Sequence, residues 1–307
     1  MRNIFSFFKK RDIGRPPWDY FLLQNLDEKD YPKYLAREFQ LKTGEKLDMK
    51  KPKTFNQKIQ WLKLNDVTDL KKFCTDKVTA RSYVRKKIGE EYLKPMLQLC
   101  FSFEDIDFES LPESFIMKCS HGCKWHYVIK DKNEYLNNKS FIDITRRNMT
   151  GWLEQEFWCF NGFEMQYKGL EPKILIEPLM RDKINTNPRE IEIYCFSGQP
   201  KIYVNVRYQN RREITFYNED FSISDLVLHP DGRNIIINEE ADDILKKAVK
   251  LSSELTKDFI FARADWLVYK NQLYFNELTF SPYSGFVAFD KDWELKLGSW
   301  IDIKKKK

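Results

Sequence analysis

The sequence predicts an α+β protein, helical first and sheet-rich afterwards. Three observations carry that prediction. Apolar residues in the first third, among them Ile59, Trp61, Leu62 and Leu64, follow the spacing of amphipathic helices. At Ser114 the apolar period changes to two, the spacing of a strand with one buried face. Later runs are bounded by turn-prone pairs such as Ser197-Gly198, and one more amphipathic helix, Glu239 to Leu255, precedes a closing hairpin. With 307 residues, 42% of them hydrophobic, the chain can bury a large core as one domain or as two or three coupled subdomains.

Residues 1 to 15 read as a tail in which Ile4, Phe5, Phe7 and Phe8 stand beside Arg2, Lys9, Lys10 and Arg11. This suits an interfacial anchor on anionic lipid, helped by Lys304 to Lys307, and suits a frayed terminus slightly better. Residues 16 to 110 read as a mostly helical unit. One helix ends near Asn65-Asp66, a second runs from Thr75 to Lys87 and closes at Gly89, and Pro95 breaks the pattern. Residues 111 to 180 form the next unit: a strand at Phe115, a loop, a strand from Trp125 to Ile129, a helix from about Asp143 to Trp158, and a buried strand from Lys173 to Pro178. Residues 181 to 307 hold the strands Glu190 to Phe196 and Pro200 to Val206, the amphipathic helix and the hairpin Phe261 to Thr279.

Composition narrows the function classes. Six cysteines without a secretory leader predict reduced thiols and a cytoplasmic setting. No run approaches the ~18 apolar residues that cross a bilayer. A net charge of +6, spread among 46 acidic residues, does not form a nucleic-acid stripe, so no nucleic-acid partner is expected. It suits anionic ligands such as nucleoside triphosphates and acidic sugars. The Walker, Gly-x-Gly-x-x-Gly and Gly-x-Ser-x-Gly patterns are absent.

The hairpin carries charges where core residues are expected. A three-residue loop, Lys270, Asn271 and Gln272, would set Asp265 opposite Glu277 and Arg263 opposite Thr279, all on one face, with Ala264, Trp266, Val268, Tyr274 and Leu278 on the other. A two-residue loop would shift the register by one and separate the carboxylates. Two facing carboxylates repel unless a cation joins them, and carboxylate oxygens with substrate phosphates are the ligands that Mg²⁺ prefers. An adjacent arginine can clamp a phosphoryl group. The bland alternative is a surface hairpin with ordinary charges.

Three further segments bear on the site. Lys118 interrupts an apolar strand, placing a cation on a rigid base. The loop from Ser120 to Trp125, with His121, Gly122 and Lys124, has the composition of a nucleotide-covering flap. Glu177 ends a strand before Leu179 and Met180, which suits an adenine hinge and nearly as well a plain strand end. Cys119, His121, Cys123 and His126 are zinc-type ligands at a spacing wrong for the common structural motifs.

In this order the chain resembles the TupA-like ATP-grasp family, which is associated with bacterial surface polysaccharides. The resemblance runs from about Thr54 to Ile303. It rests on Thr54 to Leu64, Asp76-Lys77 with Arg81 to Val84, Gly89 to Pro95, Lys118 with His121-Gly122, Cys195 to Lys201, Thr215 to Tyr217, and Glu277 to Pro282 with Ser284-Gly285. It implies an ATP-grasp fold: a helical N-terminal subdomain, a nucleotide-covering lid and a C-terminal antiparallel-sheet catalytic subdomain. It also implies ATP and Mg²⁺, with phosphate on Lys118, adenine on Glu177 to Met180, metal on Asp265 and Glu277 assisted by Thr279, and the transferred phosphate against Arg263. Departures from the family pattern are Cys123-Lys124 in place of Ser-Gly, Glu192 where lysine is common, Thr279 where an asparagine ligand is common, and Tyr283 after Pro282.

The implied activity is a carboxylate-amine ligase of capsule, O-antigen or teichuronic-type polymers that releases ADP. Its substrates would be a uronic acid and an amine from an amino acid or amino sugar. A glycosyltransferase using Asp105-Ile-Asp107, and a nucleotide-binding protein without turnover, are the alternatives.

Overall fold

A computed structural model describes residues 20–160, 162–181, 187–208, 212–226 and 234–304. The expected membrane-facing tail at residues 1 to 15 lies outside them, as do Lys305 to Lys307. Among the described residues no helix is long and apolar enough to cross a membrane.

The chain begins with helices α1 (Tyr20–Gln24), α2 (Tyr31–Thr43), α3 (Phe55–Asn65), α4 (Asp69–Thr75) and α5 (Ala80–Ile88). The Thr54 hydroxyl caps α3 by accepting from the Gln57 amide at 3.3 Å, and Phe55, Ile59 and Leu62 make its buried stripe. The helix expected over Thr75 to Lys87 begins only at Ala80, Thr75 being the last residue of α4. Asp76 Oδ1 accepts from the amides of Val78 and Thr79, at 2.8 and 2.9 Å, so a side-chain turn replaces the helical ladder there.

Strands β1 (Gln98–Cys100), β2 (Phe115–Cys119) and β3 (His126–Ile129) follow, then α6 (Lys132–Asn137), α7 (Lys139–Leu153) and β4 (Ile174–Pro178). The order β1-β4-β2-β3 makes a four-stranded antiparallel sheet, so Gln98–Cys100 joins the sheet of the following segment. Phe115, Met117, Cys119, Ile174 and Ile176 point into one core against Trp152 and Met149 of α7. Helix α7 starts four residues before the sequence expectation because Asn138 caps it, accepting from the Phe141 amide at 3.0 Å.

The second sheet takes β5 (Arg189–Phe196), β6 (Gln199–Tyr208), β7 (Arg212–Tyr217), β8 (Asn234–Ile236), β9 (Phe261–Tyr269) and β10 (Gln272–Thr279), in the order β10-β9-β5-β6-β7-β8. Helix α8 (Asp243–Thr256) packs on one face with Ile191, Ile193, Ala262, Ala264 and Trp266. On the other face α3 and α9 (Lys291–Trp300) cover Tyr194, Phe196, Val204 and Phe261. That cover reaches only one end of the strands. Along β5 and β9 the same face continues as Glu192, Glu190, Arg263, Asp265 and Leu267, toward the small sheet. Strand alternation thus carries an apolar face out of the core and into an open cleft.

The closing hairpin corrects one expectation and explains another. Its loop is two residues, Lys270 and Asn271, both left-handed at φ 47° and 63°, as a primed turn requires. Gln272 belongs to β10 opposite Tyr269. By itself that register would part the carboxylates, but a β-bulge between Phe275 and Glu277 inserts Asn276. Beyond it Glu277 pairs with Asp265 and Thr279 with Arg263. The same bulge exchanges the faces before it: Phe275 joins the core, and Tyr274 stands opposite Leu267.

Candidate active site

A cleft of about 1030 Å³ lies between the two sheets. Its small-sheet wall includes Ile116 and Lys118 of β2 and Glu177 at the end of β4, followed by Leu179 and Met180. Because Phe115, Met117 and Cys119 take the core face of β2, Lys118 must take the other.

The Glu177 carboxylate is the centre of a buried basic cluster. It lies 2.8 Å from Lys118 Nζ, 3.1 Å from Lys94 Nζ and 3.5 Å from an Arg81 guanidinium nitrogen. Burial opposes its ionisation, but the ammonium groups of Lys94 and Lys118 outweigh burial and hold its carboxyl at about 2. Burial also opposes both ammonium charges. At Lys118 the Glu177 carboxylate outweighs it and raises the pKa, whereas at Lys94 burial prevails and pushes the amine down to about 7. The Glu177 side chain is therefore an anchor for cations, while Leu179 and Met180 line the cleft. Arg81 and Lys94 lie in segments that carry the family resemblance but were given no site role, because they meet Glu177 only through the tertiary fold.

The loop from Ser120 to Trp125 is pinned at its base. Ser120 Oγ donates to Asp76 Oδ2 at 2.7 Å, and Lys77 Nζ donates to the Gly122 carbonyl at 2.5 Å. Gly122 is needed because a Cβ there would meet the Trp125 ring at 2.2 Å. Lys124, at φ 63°, lines the cleft. The His121 ring does not: it is buried edge-on to Trp125, with Nε2 3.0 Å from the Trp152 carbonyl, and burial pushes its pKa down. The expectation that His121 faces nucleotide is corrected to a core role set by its burial. Cys119 likewise faces the core, and among the described residues no group of three or more His, Cys, Asp or Glu is placed to hold a metal.

The larger sheet supplies the acidic wall. Arg263 Nε and Nη2 donate to the two Asp265 oxygens, both at 2.7 Å, and Nη1 lies 3.1 Å from Glu192. The Thr279 hydroxyl stands 3.0 Å from Asp265 Oδ2 and 3.3 Å from Glu277 Oε1, close enough to donate to either. Burial, with Glu192 and Glu277 nearby, raises the Asp265 carboxyl despite Arg263. Burial and Glu192 push Glu190, also in the cleft, up to about 7. Arg263 thus spans two carboxylates, an ion pairing that the sequence did not reveal because Glu192 lies on another strand.

Two carboxylates and a hydroxyl make an all-oxygen donor set, which fits a hard divalent cation completing its shell with phosphate and water. Asp105 and Asp107 do not compete for this role. Asp105 accepts from the amides of Phe101 and Ser102, and Asp107 from those of Glu109 and Ser110, so both terminate turns outside the cleft.

No curated protein matches the chain. Solved structures that resemble it include D-alanine–D-alanine ligase from Bacillus anthracis, at 15% identity and TM-score 0.42 over 71% of this chain and 58% of that one. The same ligase complexed with ATP covers 78% and 68% at TM-score 0.40 and 15% identity. The ATP-grasp ligase PsnB, complexed with Mg and ADP, covers 76% and 61% at 10% identity and TM-score 0.40. The chain therefore spans 58% of the length of the first of these ligases. A family model, TupA-like ATPgrasp, matches residues 57–302, from α3 through the end of α9, and on that match the chain belongs to the TupA-like ATP-grasp family, with the ATP-grasp fold.

Proposed function

We propose that the protein is an ATP-dependent carboxylate-amine ligase acting on uronic acids of capsule, O-antigen or teichuronic-type polysaccharides. The observation that carries the reading is the opposition of two walls. Lys94 and Lys118, gathered with Arg81 on Glu177, line one, and Glu277 and Thr279, the latter bonded to Asp265, line the other, across a cleft large enough for a nucleotide and an acceptor. In this reading residues 111 to 180 serve as the lid, 181 to 307 as the catalytic unit and 16 to 110 as the helical support.

The chemistry brings two anions together, because a carboxylate oxygen attacks the γ-phosphorus of ATP while the bond to ADP breaks. Lys118 and Lys94 hold the phosphates and offset that repulsion. Arg263, already bidentate to Asp265, stands against the transferred group. Magnesium, held by Asp265 and Glu277 with Thr279 on a bound water, would neutralise phosphate charge. Leu179 and Met180 pack on the adenine. The amine of an amino acid or amino sugar then displaces phosphate from the acyl group, giving an amide and releasing a proton. In this reading the reaction takes place in the cytoplasm, with no nucleic acid involved.

The test combines Mg-ATP with glucuronate and galacturonate derivatives and an amine panel, following ADP, phosphate and amide. ADP formation dependent on both substrates supports the ligase. Release of a nucleoside diphosphate from a nucleotide sugar would replace it with a glycosyltransferase, and ATP binding without turnover would leave a binding protein.

A further inference from the structure

The bulge at Asn276 acts in two directions. Along the sheet it sets Glu277 opposite Asp265. Across the cleft its Oδ1 accepts from Lys94 Nζ at 2.9 Å, and that ammonium is also 3.1 Å from Glu177 Oε2. Lys94 follows the short 3-10 turn Glu90–Tyr92, and its carbonyl accepts from Arg81 Nη2 at 2.6 Å, which anchors its backbone to α5. One buried amine thus joins β10 of the larger sheet to β4 of the smaller.

We propose that Asn276 is a positioning residue for nucleotide phosphate, holding the Lys94 ammonium at the seam between the sheets so that Lys94 and Lys118 present to one anion. The inference rests on the ATP-dependent reading above. The groups facing Lys94 are Glu177 from β4, Lys118 from β2, Arg81 from α5 and Asn276 from β10. Glu177 is shared by all three cations, so it cannot by itself place any one of them. Asn276 is the partner that belongs to Lys94. A neutral oxygen suits this purpose, because it satisfies a buried ammonium without competing for it as a second carboxylate would. Without Asn276, Lys94 keeps only its existing ion pair with Glu177, which then draws the ammonium away from the position shared with Lys118.

Calorimetric titration with Mg²⁺ and a non-hydrolysable ATP analogue tests the proposal, alongside melting curves without nucleotide. Asn276→Ala is expected to weaken binding about tenfold, the loss of one hydrogen bond to a charged group, with the nucleotide-free melting point unchanged. Asn276→Gln, which keeps a neutral oxygen acceptor, should recover most of it. In a Lys94→Ala background, Asn276→Ala should change affinity less than about twofold, because the partner through which it acts is gone. Should Asn276→Ala fail to fold, Asn276→Ser takes its place with the same expectation. Wild-type binding retained in the alanine variant, equal loss in alanine and glutamine variants, or additive losses with Lys94→Ala would each overturn the positioning role. Failure of the wild-type protein to bind the analogue would instead overturn the ATP-dependent function itself.

Discussion

Glu192 and Asp265 stand on one rung of the larger sheet and share a single guanidinium, that of Arg263. Glu277 continues the rung on β10. Three carboxylates in a row would repel, and Arg263 is the cation within bonding distance of two of them. The acidic wall is therefore held together before any metal arrives.

Removing Asp265 should harm the fold as well as the site. Asp265→Ala leaves Arg263 buried with Glu192 as its one remaining carboxylate partner, and breaking such a pair is expected to cost about 3 kcal/mol in urea unfolding. Stabilisation by Mg-ATP should vanish in the same variant. An unchanged or raised unfolding midpoint without nucleotide would show that Arg263 does not need Asp265.

Gly122→Ala should disrupt the loop below the cleft. The added Cβ would lie 2.2 Å from the Trp125 ring, which is itself packed against Trp152, Phe157 and Phe160. Neither side can yield freely, so a loss of about 2 kcal/mol is expected by thermal unfolding, with Trp fluorescence shifted. Wild-type stability in this variant would mean that the loop moves without cost.

The hairpin turn offers a gain instead. Lys270 and Asn271 both occupy left-handed backbone, which costs a lysine about 1 kcal/mol. The double change Lys270→Asn with Asn271→Gly supplies the residues that such a turn favours and should raise the melting point by a few degrees. A lowered melting point would argue that the lysine side chain is itself needed there.

Glu294 predicts a pH dependence. Its Oε2 accepts from the Asn56 amide at 3.0 Å, tying α9 to the start of α3, while burial pushes its carboxyl up to about 7. The folded state keeps a proton that the unfolded chain has released above its ordinary carboxylate pKa. Stability from this group is thus present at low pH, falls as pH rises from about 4.5 toward 7, and stays lost above. Glu294→Gln keeps the acceptor and removes the charge. It should flatten that decline and add about 2 kcal/mol at pH 8. Equal slopes for both proteins across this interval would refute the assignment.

Much of this molecule was legible in the sequence because local rules and tertiary demands agree. The helix over Ile59, the strand holding Lys118, the Ser197-Gly198 turn and the α+β order all follow from periodicity and turn chemistry. The pairing of Asp265 with Glu277 was expected from a three-residue loop; the pairing stands, but the loop that was to produce it does not form. A bulge at Asn276 restores what the two-residue turn would have shifted. A bulge has no reliable sequence signal, since it depends on which register lets Phe275, Trp266 and Leu278 enter one core together. Tertiary structure alone decided that Glu177 gathers Arg81, Lys94 and Lys118, that Arg263 joins Asp265 to Glu192, and that His121 turns inward. The physical reason is common to all three. Charge partners are chosen by proximity between strands and helices far apart in the chain, and burial then makes an unpaired charge too costly to leave. Periodicity says which face of an element is buried, but not what it meets there.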